Sequence, residues 1–179
     1  MVFPSQEQPQ EPLQEGSEKR FAVICVGNKL MMDEGIGAAV YEALRRDYHI
    51  PENVHLYDVG CMSMDMLTYV RDCDFLISVD AVDGTGKPAG TVFHFKPEDV
   101  ARHTGAMSSL HDLKLIDLFD TAELLGYKAE GLCLGMQVEN MYPSEYCMDL
   151  TEPVRAALPL LVETVVAELA KRGAALRHR

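Results

Sequence analysis

Apolar residues fall into short runs and alternations that begin at Phe21 and continue almost to the C-terminus. Phe21 to Val26 is unbroken, Val54 to Asp58 alternates apolar with polar, and Phe75 to Val79 is a near-continuous run closed by Asp80. Short apolar runs read as buried strands, and strict alternation reads as a strand with one face covered. Helical spacing lies between them. Ile36, Val40 and Leu44 recur at four-residue steps within 34–47, and Met64, Leu67 and Val70 mark a shorter helix.

After Asp80 the chain is rich in turn residues from Val82 to Gly90, and this loop is too short for a helical crossover. Thr91 to Phe95 should therefore run antiparallel to its neighbour, which makes the sheet mixed. Ser108 and Ser109 read as caps of a helix that carries Leu113, Ile116 and Phe119 on one face and places His111 in its first turn. Leu132 to Val138 supplies a fifth strand, expected at the sheet centre. Thr151-Glu152-Pro153 opens a last helix with Leu158, Leu161, Val165 and Leu169 on one face. Pro159 removes a backbone donor inside it, so a kink or a break into two helices is expected.

The expected fold is a single α/β domain over 21–173, a three-layer sandwich with a mixed, mostly parallel five-stranded sheet flanked by helices. Residues 1–20 are rich in Gln, Glu, Pro and Ser and read as a disordered tail, and 174–179 as a flexible C-terminus. No internal repeat and no second domain are visible.

Against this frame three acids stand out. Glu34 falls in the turn after the first strand, Asp58 closes the second, and Asp80 closes the third. Open α/β sheets bind ligands at the carboxyl ends of their strands, so adjacent strands would bring these acids to one edge. An acid at a strand end is also an ordinary turn former or cap, and both readings stand. His111, at a helix N-terminus, is disfavoured from protonation and available as a metal ligand, or it is a surface histidine bonded to a carbonyl. Two carboxylates and an imidazole suit a divalent transition metal with open positions, assembled by the fold because the three are far apart in the chain.

Charge and cysteine content narrow the classes. The 179 residues carry a net charge of −12 with no basic stripe, which disfavours nucleic acid. No apolar stretch is long enough for a signal sequence or a membrane span, so a cytoplasmic protein is expected. The five cysteines form no CxxC pair and their odd number argues against a complete disulfide framework. Cys25 reads as core. Cys61, near the acids, with His111 as base would make a thiol hydrolase, but a catalytic thiol needs an electropositive setting and this one is acidic. A nucleotide-binding protein is disfavoured, since the Gly-x-Gly-x-x-Gly turn is missing after the first strand.

The run Gly27-Asn28-Lys29-Leu30-Met31-Met32-Asp33-Glu34-Gly35-Ile36-Gly37, the Asp58 segment, the Val79-Asp80-Ala81 strand end and the Ser108 to His111 stretch together resemble the hydrogenase maturation proteases. The resemblance runs in order from Phe21 to about Gly173. It implies a nickel-dependent endopeptidase of aspartic or metallo type that removes the C-terminal extension of the precursor of a nickel-iron hydrogenase large subunit. It implies Glu34, Asp80 and His111 as metal-binding positions that recognise nickel already seated in the precursor. Zinc or cadmium is expected to occupy such a site in a purified sample. Asp58 is implied as a further acidic, catalytic position. The family pattern Asp-Gly-Gly-Thr is here Asp58-Val59-Gly60-Cys61, a departure that bears on the backbone of that loop.

Met31, Met32, Cys61 and Met62 flank these acids and are candidates for gripping the substrate peptide, as flexible thioethers suit an irregular surface; core packing is the alternative. The segment from Pro97 to Ser109 leads into His111 and reads as a loop able to close over the site, or as a plain connector. The free protein is expected to be a monomer. The rival reading is a non-catalytic metal-binding assembly factor that docks the same precursor.

Overall fold

A computed structural model of the chain describes residues 18–61, 66–96 and 110–179, apart from the side chains of 110–116. In chain order the elements are β1 (Phe21–Val26), a 3-10 turn (Met32–Gly35), α1 (Ile36–Asp47), β2 (Tyr48–His49), β3 (Val54–Gly60), α2 (Leu67–Arg71), β4 (Phe75–Val82), β5 (Val92–Phe95), α3 (Leu110–Leu124), β6 (Glu130–Gln137), α4 (Glu152–Lys171) and β7 (Arg177–His178). The main sheet has the order β3-β1-β4-β6-β5, parallel throughout except for β5 against β6. β2 and β7 form a separate antiparallel pair.

Alternation along the strands sorts the core into two layers, because successive side chains point to opposite faces. Val23, Ile77 and Leu134 pack with Val40 and Leu44 of α1 and with Leu161 and Leu169 of α4. Ile24, Leu76 and Cys133 pack on the other face with Val70 of α2 and with Leu118 and Ala122 of α3. β1 and β4 are buried along their whole length, which is why they read as unbroken apolar runs. The expected mixed α/β sandwich is the observed one.

Several expectations differ in detail. β6 lies one strand in from the edge and β4 is central; β6 is as apolar as a central strand because β4 and β5 flank it on both sides. The helix proposed for 34–47 is preceded by a 3-10 turn and becomes α-helical only at Ile36. α4 runs unbroken through Pro159. That proline and Arg155, whose carbonyl loses its helical donor, are both exposed, so the orphaned group is not forced to be buried without a partner.

The ends of the chain also differ from expectation. The segment 174–179 is docked: Ala174 and Leu176 are buried, and Arg177–His178 pairs with Tyr48–His49. Of the proposed 1–20 tail, Lys19 and Arg20 are held in place. The Arg20 N–H donates to the Asp74 carboxylate at 2.8 Å, and the Asn53 side-chain amide to the Lys19 carbonyl at 2.9 Å. Residues 1–17, 62–65 and 97–109 lie outside the described residues, and with them Met62 and the segment expected to close over the site. No helix among the described residues is long and apolar enough to cross a membrane.

Near its C-terminal end α4 buries Glu168, whose carboxylate accepts hydrogen bonds from Lys171 at 2.6 Å and Arg172 at 2.5 Å. The Arg172 guanidinium in turn lies 4.1 Å from the centre of the Phe75 ring. Burial pushes the Glu168 carboxyl upward, but the two cationic donors outweigh it and hold the group below its ordinary range. The stability this supplies is present above the unfolded value of about 4.3 and is lost as pH falls through the lower folded value. Glu168→Gln should lower stability at pH 7 by roughly 1–2 kcal/mol, and that deficit should vanish in acid, measured by urea unfolding at a series of pH values.

Candidate active site at the carboxyl edge of the sheet

β1 delivers the chain to the carboxyl edge, and two glycines let it turn back at once. Gly27 has φ +132°, and a Cβ there would lie 1.8 Å from the Glu34 carbonyl oxygen. A Cβ on Gly37 would lie 2.0 Å from the Val26 carbonyl oxygen, so only glycine lets the start of α1 press against the end of β1. Asn28 shapes the turn: its side-chain oxygen accepts the Leu30 N–H at 3.0 Å, and its carbonyl accepts the Met31 N–H at 3.0 Å.

The two adjacent acids of this turn have different fates. Asp33 is fully buried. One of its oxygens accepts the N–H groups of Glu139 at 3.0 Å and Asn140 at 2.9 Å and the Thr151 hydroxyl at 2.8 Å; the other accepts the Thr151 N–H at 2.7 Å. Thr151 is the N-cap residue of α4, yet its hydroxyl goes to Asp33 and makes no cap bond to the helix. Backbone bonds reinforce the clasp, with the Met32 N–H on the Cys147 carbonyl at 2.7 Å and the Cys147 N–H on the Leu30 carbonyl at 3.0 Å. Met32 sits in the left-handed region at φ +54°, a strained setting held by these contacts.

Glu34, by contrast, is only partly buried, and its turn packs against β4. Asp80 on β4 is 8% exposed and accepts the Ala81 N–H at 2.8 Å. It lies level with Val26 and Gly60, at the carboxyl ends of β1 and β3, because Cys25 pairs with Val79 and Val26 with Gly60. α3 packs on the same sheet face as Asp80. The chain leaves its C-terminal end for the start of β6, so its first turn, with His111, lies toward the carboxyl edge. The turn that carries Glu34 and the strand that carries Asp80 thus meet at one edge of the sheet, and the direction of α3 runs its first turn toward that edge. Among the described residues no three His, Cys, Asp or Glu side chains form a metal-sized cluster; the His111 ring is not one of those residues.

Asp58 is set apart from them. It pairs in register with Cys25, whose side chain joins the α1 layer, whereas Ser78 and Asp80 alternate onto the opposite face. The Asp58 carboxylate lies 3.0 Å from the Lys29 ammonium, and Lys29 also reaches Glu42 of α1 at 3.3 Å. The bond to Asp58 is the main reason the Lys29 ammonium is held above its ordinary pKa. A strand irregularity follows Asp58, where Val26 pairs with Gly60 and Val59 is skipped. Of the two positions where glycines were expected, only Gly60 takes positive φ, +54°, so Val59 fits without strain. Met31 and Met32 are partly exposed and Cys61 is exposed. Buried Cys25 is held protonated by burial and by Asp58, and Cys73 is pushed up to about 12 by burial and by Asp74.

The chain is similar to known proteins over nearly all of its length. A family model described as hydrogenase maturation protease matches residues 38–168, a span that includes Asp58, Asp80 and His111. The hydrogenase expression/formation protein HupD of Rhizobium leguminosarum bv. viciae is 32% identical over 94% of this chain and 83% of its own. The hydrogenase 2 maturation protease of Escherichia coli K12 is 32% identical over 86% of this chain and 93% of its own. The structure of the hydrogenase maturating endopeptidase HybD from E. coli superimposes with a TM-score of 0.80 at 30% identity, covering 89% of this chain and 98% of that one.

The contrast between the neighbouring acids is measurable. Asp33→Asn replaces one acceptor oxygen with an amide that faces N–H donors, and should cost roughly 3 kcal/mol or about 6–12 °C in Tm. Glu34→Gln should stay within about 1 kcal/mol of wild type. Thermal unfolding of the two variants checks both.

Proposed function

The chain belongs to the hydrogenase maturation protease family, and on that premise we propose that it hydrolyses the peptide bond releasing the C-terminal extension of a hydrogenase large-subunit precursor already loaded with nickel. In this reading Glu34, Asp80 and His111 contact the nickel carried by the substrate and so set the scissile bond at the carboxyl edge. What supports it is the packing of the turn after β1 against β4 at that edge, with α3 on the same sheet face as Asp80 and its first turn directed toward the edge. Two carboxylates and an imidazole suit a nickel ion that retains other ligands. A cation near the scissile carbonyl would polarise it toward water; the water's hydroxyl ends on the carbonyl carbon and its proton on the departing amine nitrogen as the C–N bond breaks. A site that needs the substrate's metal would cleave only a finished precursor.

Asp58 we assign a positioning role rather than that of general base. Its carboxylate is engaged by the Lys29 ammonium 3.0 Å away, and its strand register turns it to the opposite face from Asp80. With Lys29 it ties the motif turn to β3 and, through Glu42, to α1. Met31, Met32 and Cys61 remain our candidates for contact with the substrate peptide; Met62 lies outside the described residues.

Intact mass spectrometry of the precursor, with and without nickel, tests the reading. Loss of one C-terminal peptide only with nickel and wild-type protein is expected, with Glu34→Gln and His111→Ala reducing the rate by at least about a hundredfold. A stable complex with nickel-loaded precursor that is never shortened would instead identify a non-catalytic assembly factor. For Asp58, a double-mutant cycle on cleavage rate should show Asp58→Asn and Lys29→Ala losing similar, modest activity, with the double variant no worse than either. Abolition by Asp58→Asn alone would restore it as the base.

A further inference from the structure

β3 is an edge strand, paired only with β1. The Phe21 N–H donates to the Asn53 carbonyl at 2.8 Å, which fixes the phase of this parallel ladder: His55 and Tyr57 direct their backbone groups to β1, and Val54, Leu56 and Asp58 direct theirs outward. Among the described residues the Leu56 N–H and carbonyl and the Asp58 N–H have no partner. A row of unpaired donors and acceptors is a template for another strand, and proteins usually blunt it. Here the strand irregularity blunts only the end beyond Asp58, leaving Val54 to Asp58, roughly 13 Å, open.

The two ends of this open stretch differ in chemistry. At the Asp58 end lies the carboxyl edge that carries the candidate active site. At the Val54 end a cavity of about 380 Å³ is lined by Arg45, His49, His55 and Arg179 and by no acidic side chain. In a chain of net charge −12, this is a local reversal of sign.

We propose that the substrate's C-terminal extension binds as an added antiparallel strand on the outer edge of β3, running from the scissile bond near Asp58 toward a carboxylate held at Arg45 and Arg179. The inference rests on the endopeptidase reading and specifies how that substrate is held. An extended peptide is the form a protease must grip, and strand addition supplies affinity through main-chain bonds that do not depend on the extension's sequence. An antiparallel direction carries the released end away from the acidic site and toward the cations. The carboxylate is a side chain or the chain terminus; amidating the terminus of a synthetic substrate and neutralising its acidic side chains separate the two.

The test is the cleavage kinetics of nickel-loaded precursor by wild type, Leu56→Ala and Leu56→Pro. Proline removes the outward N–H without breaking a bond to β1, and an edge strand tolerates it. The expected result is a KM raised roughly tenfold by Leu56→Pro, with kcat little changed, and raised at most about twofold by Leu56→Ala, which keeps the N–H. Arg45→Ala should raise KM and flatten its dependence on salt. Amide hydrogen exchange on wild-type protein, saturated with a synthetic peptide spanning the cleavage site, should show slowed exchange at Leu56 and Asp58, and this readout holds if Leu56→Pro fails to fold. Wild-type cleavage with an unchanged KM for folded Leu56→Pro, or with no protection at Leu56 and Asp58, overturns the strand-addition proposal alone. Failure of wild type to shorten the precursor overturns the endopeptidase reading and this proposal with it.

Discussion

A single buried carboxylate holds the candidate site in shape. Asp33 accepts four hydrogen bonds, from two loop amides and from both the amide and the hydroxyl of Thr151. A charge without water is tolerable only when its lone pairs are filled, and four donors meet that demand. Its effect is to lock the turn after β1 to the segment 139–151 and to the start of α4. Glu34, one residue on, inherits a fixed backbone without being buried itself. The left-handed Met32 and the close approaches at Gly27 and Gly37 persist because this clasp leaves the turn no alternative.

The sheet adds a second constraint, alternation. Side chains one residue apart on neighbouring strands in register point to opposite faces, so three acids near three strand ends do not automatically form one cluster. Asp80 shares its face with α3, and Asp58 shares its face with α1, where Lys29 receives it. Pairs of this kind, with Lys29 45% and Asp58 22% exposed, contribute less than about 1 kcal/mol. What the Lys29–Asp58 pair does in the structure is link the motif turn, β3 and α1.

Much of this was legible in the sequence because it rests on periodicity. The unbroken run Phe21 to Val26, the four-residue steps of Ile36, Val40 and Leu44, and the short loop before Val92 gave the strands, the first helix and the antiparallel strand. Periodicity reports burial rather than rank in the sheet, which is why β6 was expected at the centre. The docking of Ala174 and Leu176 was missed because two small apolar contacts make too weak a pattern. The division of labour between Asp33 and Glu34 was invisible for a different reason. Thr151 looks like an ordinary helix cap, and nothing local says that its hydroxyl serves an acid in another part of the chain.

The bonds to Asp33 join residues 106, 107 and 118 positions apart in the chain. Contacts of such separation form late, since the loop they close must first be ordered. During synthesis the turn that carries Glu34 leaves the ribosome early, but its clasp cannot close until Thr151 has followed it. The order of the chain thus delays the assembly of this edge until most of the domain exists, and a nascent fragment that ends before Thr151 still lacks the clasp that fixes the turn carrying Glu34.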